Sequence, residues 1–196
     1  MPLVGFRRRF PHTSRFGHYV EVTDAPPATL WVHPHIVVGD SCIQGRGLFA
    51  TEDLAADVIV LCLSGCLVTT GELAQLIEHA SADPSHVYVD TLTIHENAHL
   101  VLPPGTMIHF GNHSCDPNMW HVGPFEIATR RVIQVGEEMT IDYGTQSGAG
   151  GFSMTCHCGS TLCRGVVSSS DWRLPALQER YRHHWVPALE ARITAG

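Results

Sequence analysis

From Leu30 onward the chain alternates between short apolar, β-branched runs and breaks made of Gly, Pro, Asp or Asn. "LWVHPHIVVG" (30–39), "RGLFAT" (46–51), "DVIVLCLSG" (57–65), "HVYVDT" (86–91), "LTIHEN" (92–97), "HLVLPPG" (99–105), "FEIATRRVI" (125–133) and "EMTIDYG" (138–144) each read as a strand. Strands so short and so closely spaced predict a mostly β fold with few helices, built largely from antiparallel pairs. Helical spacing occurs twice. In "TTGELAQLIEHA" (69–80), Leu73, Leu76 and Ile77 recur on one face, and Thr70 stands where a cap is needed. Near the C-terminus Leu177, Tyr181, Trp185 and Leu189 fall four apart, with Ser170 or Asp171 upstream as a cap and Pro187 expected to kink the helix. Residues 1–28 hold no sustained period and end at Pro26-Pro27, so they read as an irregular extension. The glycines of "GTQSGAGGFS" (144–153) mark a flexible connection, and no internal repeat is present.

Composition narrows the classes. A chain of 196 residues with 44% hydrophobic residues supplies the core of one ordinary domain. A formal charge of −7 argues against a phosphate-binding surface, hence against nucleic acid, and suits a cationic partner. The longest apolar run, Val58 to Val68, is interrupted by Ser64 and Gly65 and is shorter than the roughly 20 residues of a membrane span, so it reads as core strand. Arg7, Arg8, Arg9 and Arg15 give the start of the chain a basic character, and no continuous hydrophobic segment follows as in a secretory signal. A basic arm is preferred to a transit peptide there.

The cysteines divide in two. Seven is odd, and without a signal peptide a disulfide framework is not expected. Cys42, Cys62 and Cys66 sit singly in apolar surroundings, where a buried inert thiol is the default. Cys156, Cys158 and Cys163 crowd into "CHCGSTLC", where Gly159 lets the backbone turn so that three thiols converge. Structural zinc prefers four ligands. The fourth is Cys115, the one other cysteine among polar turn residues, in "NHSCDP" (112–117), or the nearby His157.

The order "GRGLFA", "NHSCDPN", "GEEMTIDYG", "CHCGSTLCRG" resembles the SET-domain protein lysine methyltransferases with a post-SET zinc-binding tail. The resemblance runs from about Leu30 to Val167. It implies a SET-domain fold of several small sheets, with a knot-like threading of the segment holding Asn112 to Cys115, and leaves the N-terminal extension and the C-terminal helix uncovered. Pattern and resemblance together give an extension at 1–28, the SET domain at 29–145, a zinc-binding segment at 146–167 and the helix at 168–196. The cofactor implied is S-adenosyl-L-methionine, contacted by Gly45, Arg46, Gly47, Asn112 and His113, with Asn112 toward the methionine part and His113 toward the adenine. One structural Zn²⁺ is implied on Cys115, Cys156, Cys158 and Cys163. Tyr143 matches the family's catalytic tyrosine and also meets the cofactor; Tyr88, in "HVYVD", is similar to the tyrosine that often lines the lysine channel.

The reaction so implied is methyl transfer from a sulfonium to a lysine amine of a protein or peptide substrate, preferably a basic one, with no nucleic acid and no membrane involved. Asp142 is then structural instead of a general base, and Glu137 and Glu138 are turn residues before the strand. One departure stands out: two positions before the catalytic tyrosine, where the family usually has Phe or Tyr, this chain has Ile141. Two alternatives stay open, a non-catalytic peptide-binding module of the same scaffold and a methyltransferase for a small-molecule amine. The expected location is cytoplasmic, or nuclear in a eukaryotic cell, and the oligomeric state is open.

Overall fold

Gly, Pro and Asp break the apolar runs into strands of two to five residues, too short to pair in one broad sheet, and the chain folds them into four small ones. The computed structural model describes residues 25–82, 89–146 and 151–196. In order the elements are β1 (Trp31–Val32), β2 (Ile36–Asp40), β3 (Arg46–Ala50), β4 (Ile59–Cys62), β5 (Cys66–Val68) and α1 (Thr70–Ala82). Then come β6 (Thr91–His95), β7 (Ala98–Val101), β8 (Met119–His121), β9 (Glu126–Thr129), β10 (Glu138–Met139), β11 (Ser153–Thr155), β12 (Val166–Ser168), α2 (Pro175–Arg180) and α3 (Pro187–Ala195). Single 3-10 turns lie at Met107–Phe110, Tyr143–Thr145 and Asp171–Arg173.

The sheets are β1-β4-β9-β8, β10-β3-β2, β5-β7-β6 and the pair β11-β12, and every ladder is antiparallel, as the pattern predicts. Beside a second cluster in which Val167 of β12 packs on Cys115 and Cys156, one main core joins the other three sheets. Leu48, Val60, Leu100, Ile133 and Met139 are buried within it, together with the C-terminal stripe Leu177, Tyr181, Trp185 and Leu189. Among the described residues no helix is long and apolar enough to cross a membrane.

Several local expectations change. "LWVHPHIVVG" is two strands, because β1 pairs with β4 while β2 pairs with β3. The cap of α1 is Thr69, not Thr70: Thr69 Oγ1 accepts the Glu72 N–H at 3.2 Å and the Glu72 carboxylate accepts the Thr69 N–H at 2.8 Å, a reciprocal pair that needs Glu three residues after the cap. Thr70 instead meets His99 Nε2 at 2.9 Å. Of the α1 stripe only Leu73 is buried; Leu76 and Ile77 remain 40% and 47% exposed. Cys42 and Cys66 are exposed and Cys62 is half-buried, since β5 is a sheet edge and Cys42 lies in the turn before β3. The first half of "HVYVDT" (86–88) lies outside the described residues, as do part of the Gly-rich connection and the basic arm, while Thr91 begins β6.

The C-terminal helix is broken in two. Neither Ser170 nor Asp171 caps it; α2 starts at Pro175 after Leu174, and α3 starts at Pro187, the position where proline's missing N–H costs nothing. Between them the chain leaves helical geometry because tertiary partners claim its polar groups. Val186 N–H donates to Thr145 O at 3.1 Å and His184 Nδ1 to His121 O at 2.7 Å, with His183 at φ +63° making the turn. The His184 ring stacks on Trp120 at a centroid distance of 3.4 Å.

His121 is wholly buried, with Nε2 at 3.1 Å from Gln146 Oε1. Burial pushes its pKa down to about 4, opposed by the Gln146 bond and aided by the charge of His184. An unfolded histidine titrates near 6.5, so as pH falls below that value the unfolded chain takes up a proton that the folded chain refuses. Stability is therefore present in full above pH ~6.5 and drains away toward pH ~4, by at most about 3 kcal/mol from this group. Urea unfolding at pH 7 and pH 4.5 should show the loss, and His121→Gln should reduce it.

Candidate functional site

The segment after the Met107–Phe110 turn runs beside the one that leaves β10. Ile141 N–H donates to Asn112 O and Ser114 N–H to Ile141 O, both at 3.1 Å, a single parallel bridge between His113 and Ile141. Parallel geometry then turns the N–H and C=O of His113 itself away from Ile141. The Asn112 amide nitrogen is within reach of four acceptors: Glu138 Oε1 at 2.8 Å, Arg46 O at 2.9 Å, Ser41 Oγ at 3.0 Å and Gln44 O at 3.2 Å. Asn112 thereby fastens the Gly45–Gly47 turn to the bridge.

Glu138 is the surprise of this cluster. Its carboxylate accepts from Ser41 Oγ at 2.8 and 2.9 Å as well as from Asn112, and it occupies the space that a side chain at position 47 would need. Gly47 makes room for this carboxylate, and Gly45 is favoured by its φ of +52°. The sequence reading took Glu138 for a turn residue; it lies in β10 and organises the Gly-rich turn.

His113 is 3% exposed and its tautomer follows from its partners. Nδ1 accepts the Tyr143 N–H at 3.1 Å, so the hydrogen is on Nε2 and points at Cys115 Sγ, 3.3 Å away. Burial holds its pKa below the ordinary histidine value in spite of nearby Asp142. Both ring nitrogens of His113 are thus engaged inside the protein. Tyr143 begins the Tyr143–Thr145 turn, and its hydroxyl donates to Gly111 O at 2.8 Å.

Beneath Tyr143 lies a buried ion cluster. Asp142 is fully buried and receives Arg164 in a two-pronged pair, with both N–O distances 2.7 Å, plus Tyr181 Oη at 3.0 Å and Gly144 N–H at 2.9 Å. Arg164 Nε also reaches Asp171 at 2.9 Å. Burial by itself would weaken the charge on Arg164, but Asp142 overcomes this and holds its pKa above the ordinary range. Every Asp142 oxygen is spent on these partners. As expected from sequence, it is structural and no base.

Cys115, Cys156, Cys158 and Cys163 bring their sulfurs within 4.8 Å of one another. Cys115 and Cys156 are 3.8 Å apart, which matches the ~3.8 Å edge of a tetrahedron whose metal–sulfur arms are about 2.3 Å. Backbone N–H groups aim at the sulfurs: Arg164 to Cys115 at 3.3 Å, Gly165 to Cys163 at 3.4 Å and Cys115 to Cys158 at 3.5 Å. Burial pushes the Cys156 thiol up, whereas at Cys158 the backbone donors of Cys115 and Ser160 outweigh burial and bring it down to about 7. Gly159 and Gly165, at φ +67° and +73°, make the turns. The donor set fits one zinc ion, and His157 lies outside it.

A cavity of about 240 Å³ opens beside the bridge, lined by Ile43, Gln44, Asn112, His113, Tyr143, Met154, Thr155 and His157. Asn112, His113 and Tyr143 come together there as the sequence suggests. Gly45, Arg46 and Gly47 do not line it; they shape the turn whose preceding residues do, and the Arg46 guanidinium lies over the Phe110 ring at 4.9 Å. Tyr88 falls outside the described residues. Sequence reasoning missed Ile43, Gln44, Met154 and Thr155, whose residue types carry no chemical signal.

For the metal, elemental analysis should find about one zinc per chain. Cys115→Ser should lose most of it while His157→Ala keeps it; full zinc content in Cys115→Ser would remove Cys115 from the ligand set.

A model of the SET domain matches residues 45–144, half of the chain. The chain is 28% identical over 159 residues to "Histone-lysine N-methyltransferase ash1" of Drosophila melanogaster, covering 76% of this chain and 7% of that protein. It is 32% identical over 138 residues to "Histone-lysine N-methyltransferase SETD2" of Homo sapiens, covering 65% and 5%. With "Histone-lysine N-methyltransferase, H3 lysine-36 specific" of Candida albicans it shares 30% identity over 129 residues, covering 62% and 15%. The chain thus spans only a small part of the length of these relatives. With the matched residues carrying the Gly-rich turn, the His113–Ile141 bridge and Tyr143, the chain belongs to the SET-domain family.

Proposed function

We propose that this chain is an S-adenosylmethionine-dependent protein-lysine N-methyltransferase, with the SET domain at 29–145, a zinc-holding segment at 146–167 and a helical C-terminus at 168–196. The observation that carries it is the Tyr143 hydroxyl, pinned to the Gly111 carbonyl beside a cavity that Asn112 and His113 also line. S-adenosylmethionine, the methyl donor of this family, supplies a methyl group on a cationic sulfonium. Asn112 would hold its methionine part, and the outward N–H and C=O of His113, an adjacent donor and acceptor, suit the edge of its adenine. Tyr88 would line the lysine channel.

The substrate amine must shed its proton to attack. At an ordinary pKa near 10.4 that costs about 4.6 kcal/mol at pH 7. A dry channel and a neighbouring positive charge lower that cost, because both disfavour the ammonium form. Tyr143 gives its hydrogen to Gly111 O, so its oxygen faces the amine as an acceptor with fixed orientation, and position supplies most of the rate. The relatives' names specify histone lysines; a basic, lysine-bearing protein agrees with the net charge of −7. Cys115, Cys156, Cys158 and Cys163 would hold zinc and so order the segment that contributes Met154 and Thr155 to the cavity wall.

All twelve Lys and Arg positions are arginine, so the chain has no lysine of its own to accept a methyl group. Incubation with labelled S-adenosylmethionine and an array of lysine-bearing basic peptides should move label to peptide, and Tyr143→Phe should cut the rate by about a hundredfold. Undiminished transfer by Tyr143→Phe would overturn the assignment; tight cofactor binding with no transfer would favour a peptide-binding module or a small-molecule acceptor. Ile141 carries no hydroxyl to hold a water in the channel, so mass spectrometry should find peptide carrying more than one methyl group. A product that stops at one would count against that role.

A further inference from the structure

His109 sits in the middle of the Met107–Phe110 turn, and both of its ring nitrogens face acceptors. Nε2 is 2.8 Å from Pro103 O and Nδ1 is 3.0 Å from Asp90 Oδ2. A carbonyl can only accept, so Nε2 carries a hydrogen; the contact with the carboxylate then needs a second one, shared between Nδ1 and Oδ2. Both side chains are mostly buried, at 20% and 30% exposure, so water does not substitute freely for the missing partner. Asp90 is itself anchored, since its carbonyl accepts the Leu102 N–H at 3.0 Å.

The turn so clamped reaches the site at both ends of its last residues. Phe110 lies under the Arg46 guanidinium, and the next residue, Gly111, provides the carbonyl that fixes the Tyr143 hydroxyl. Gly111 N–H closes the turn on Ile108 O at 3.1 Å, so a rotation of the turn about His109 carries the Gly111 carbonyl with it.

We propose that His109 and Asp90 are positioning residues for methyl transfer: their bond locks the 107–110 turn so that Gly111 O holds the Tyr143 hydroxyl in place. The proposal rests on the catalytic role given to Tyr143. Neither residue touches the cavity, and both act through the Gly111 carbonyl.

The test uses the full chain labelled with 3-fluorotyrosine and read by fluorine NMR, the Tyr143 signal being assigned with Tyr143→Phe. Asp90→Ala and His109→Ala should shift or broaden the Tyr143 signal while leaving that of buried Tyr181 in place. On a peptide that accepts methyl groups they should lower kcat about tenfold or more, with KM and S-adenosylmethionine affinity changed by less than about twofold. Asp90→Asn should restore both signal and kcat, because its amide can donate to Nδ1 of a neutral ring. A Tyr143 signal unchanged in Asp90→Ala, a simultaneous move of Tyr181, or failure of Asp90→Asn to restore would each overturn the proposal. Tyr143→Phe that still transfers methyl groups would instead overturn the role of Tyr143 and the proposal with it, which separates the two failures.

Discussion

The bidentate pair between Asp142 and Arg164 is the contact on which the rest of the site depends. A carboxylate with no exposure to water is tolerable only when charge and hydrogen bonds replace its hydration, and Arg164, Tyr181 and Gly144 do this together. Asp142 immediately precedes Tyr143, and Arg164 immediately follows Cys163. One ion pair therefore sets the distance between the cavity and the cysteine cluster. Removing either charge alone would leave the other buried and uncompensated, a penalty of several kcal/mol by the usual behaviour of such pairs.

A second link runs in parallel. The tautomer of His113 is fixed from one side by the Tyr143 amide, so its other nitrogen points at a sulfur of the cysteine group. Cavity residues and the cysteine cluster are thereby joined through two independent contacts, one charged and one neutral. The neutral contact is directional and the charged one is strong, and together they leave the 112–115 segment little freedom to move relative to Tyr143.

Most of the strands were legible because Gly, Pro, Asp and Asn break an apolar chain wherever they fall, and this is a local property. Cys115 was legible for a similar reason, its polar neighbours setting it apart from Cys42, Cys62 and Cys66. What escaped the sequence depends on partners far along the chain. The four-apart stripe from Leu177 to Leu189 does bury its side chains, yet the Val186 N–H goes to Thr145 O and His183 sits at φ +63°, so one regular helix is impossible. Asp171 looked like a cap and is an ion partner of Arg164; Glu138 looked like a turn residue and fills the space at Gly47. Long-range polar pairing leaves no period for a pattern to reveal, whereas burial does.

The order of the partners of Asp142 along the chain has a consequence for synthesis. Arg164 and Tyr181 both lie C-terminal to it, so a ribosome delivers the carboxylate well before the guanidinium that neutralises it. Until the last helices emerge, Asp142 must keep its water and Tyr143 cannot settle against the core. Tyr143 therefore takes its place in the cavity wall only after Arg164 and Tyr181 have docked on Asp142.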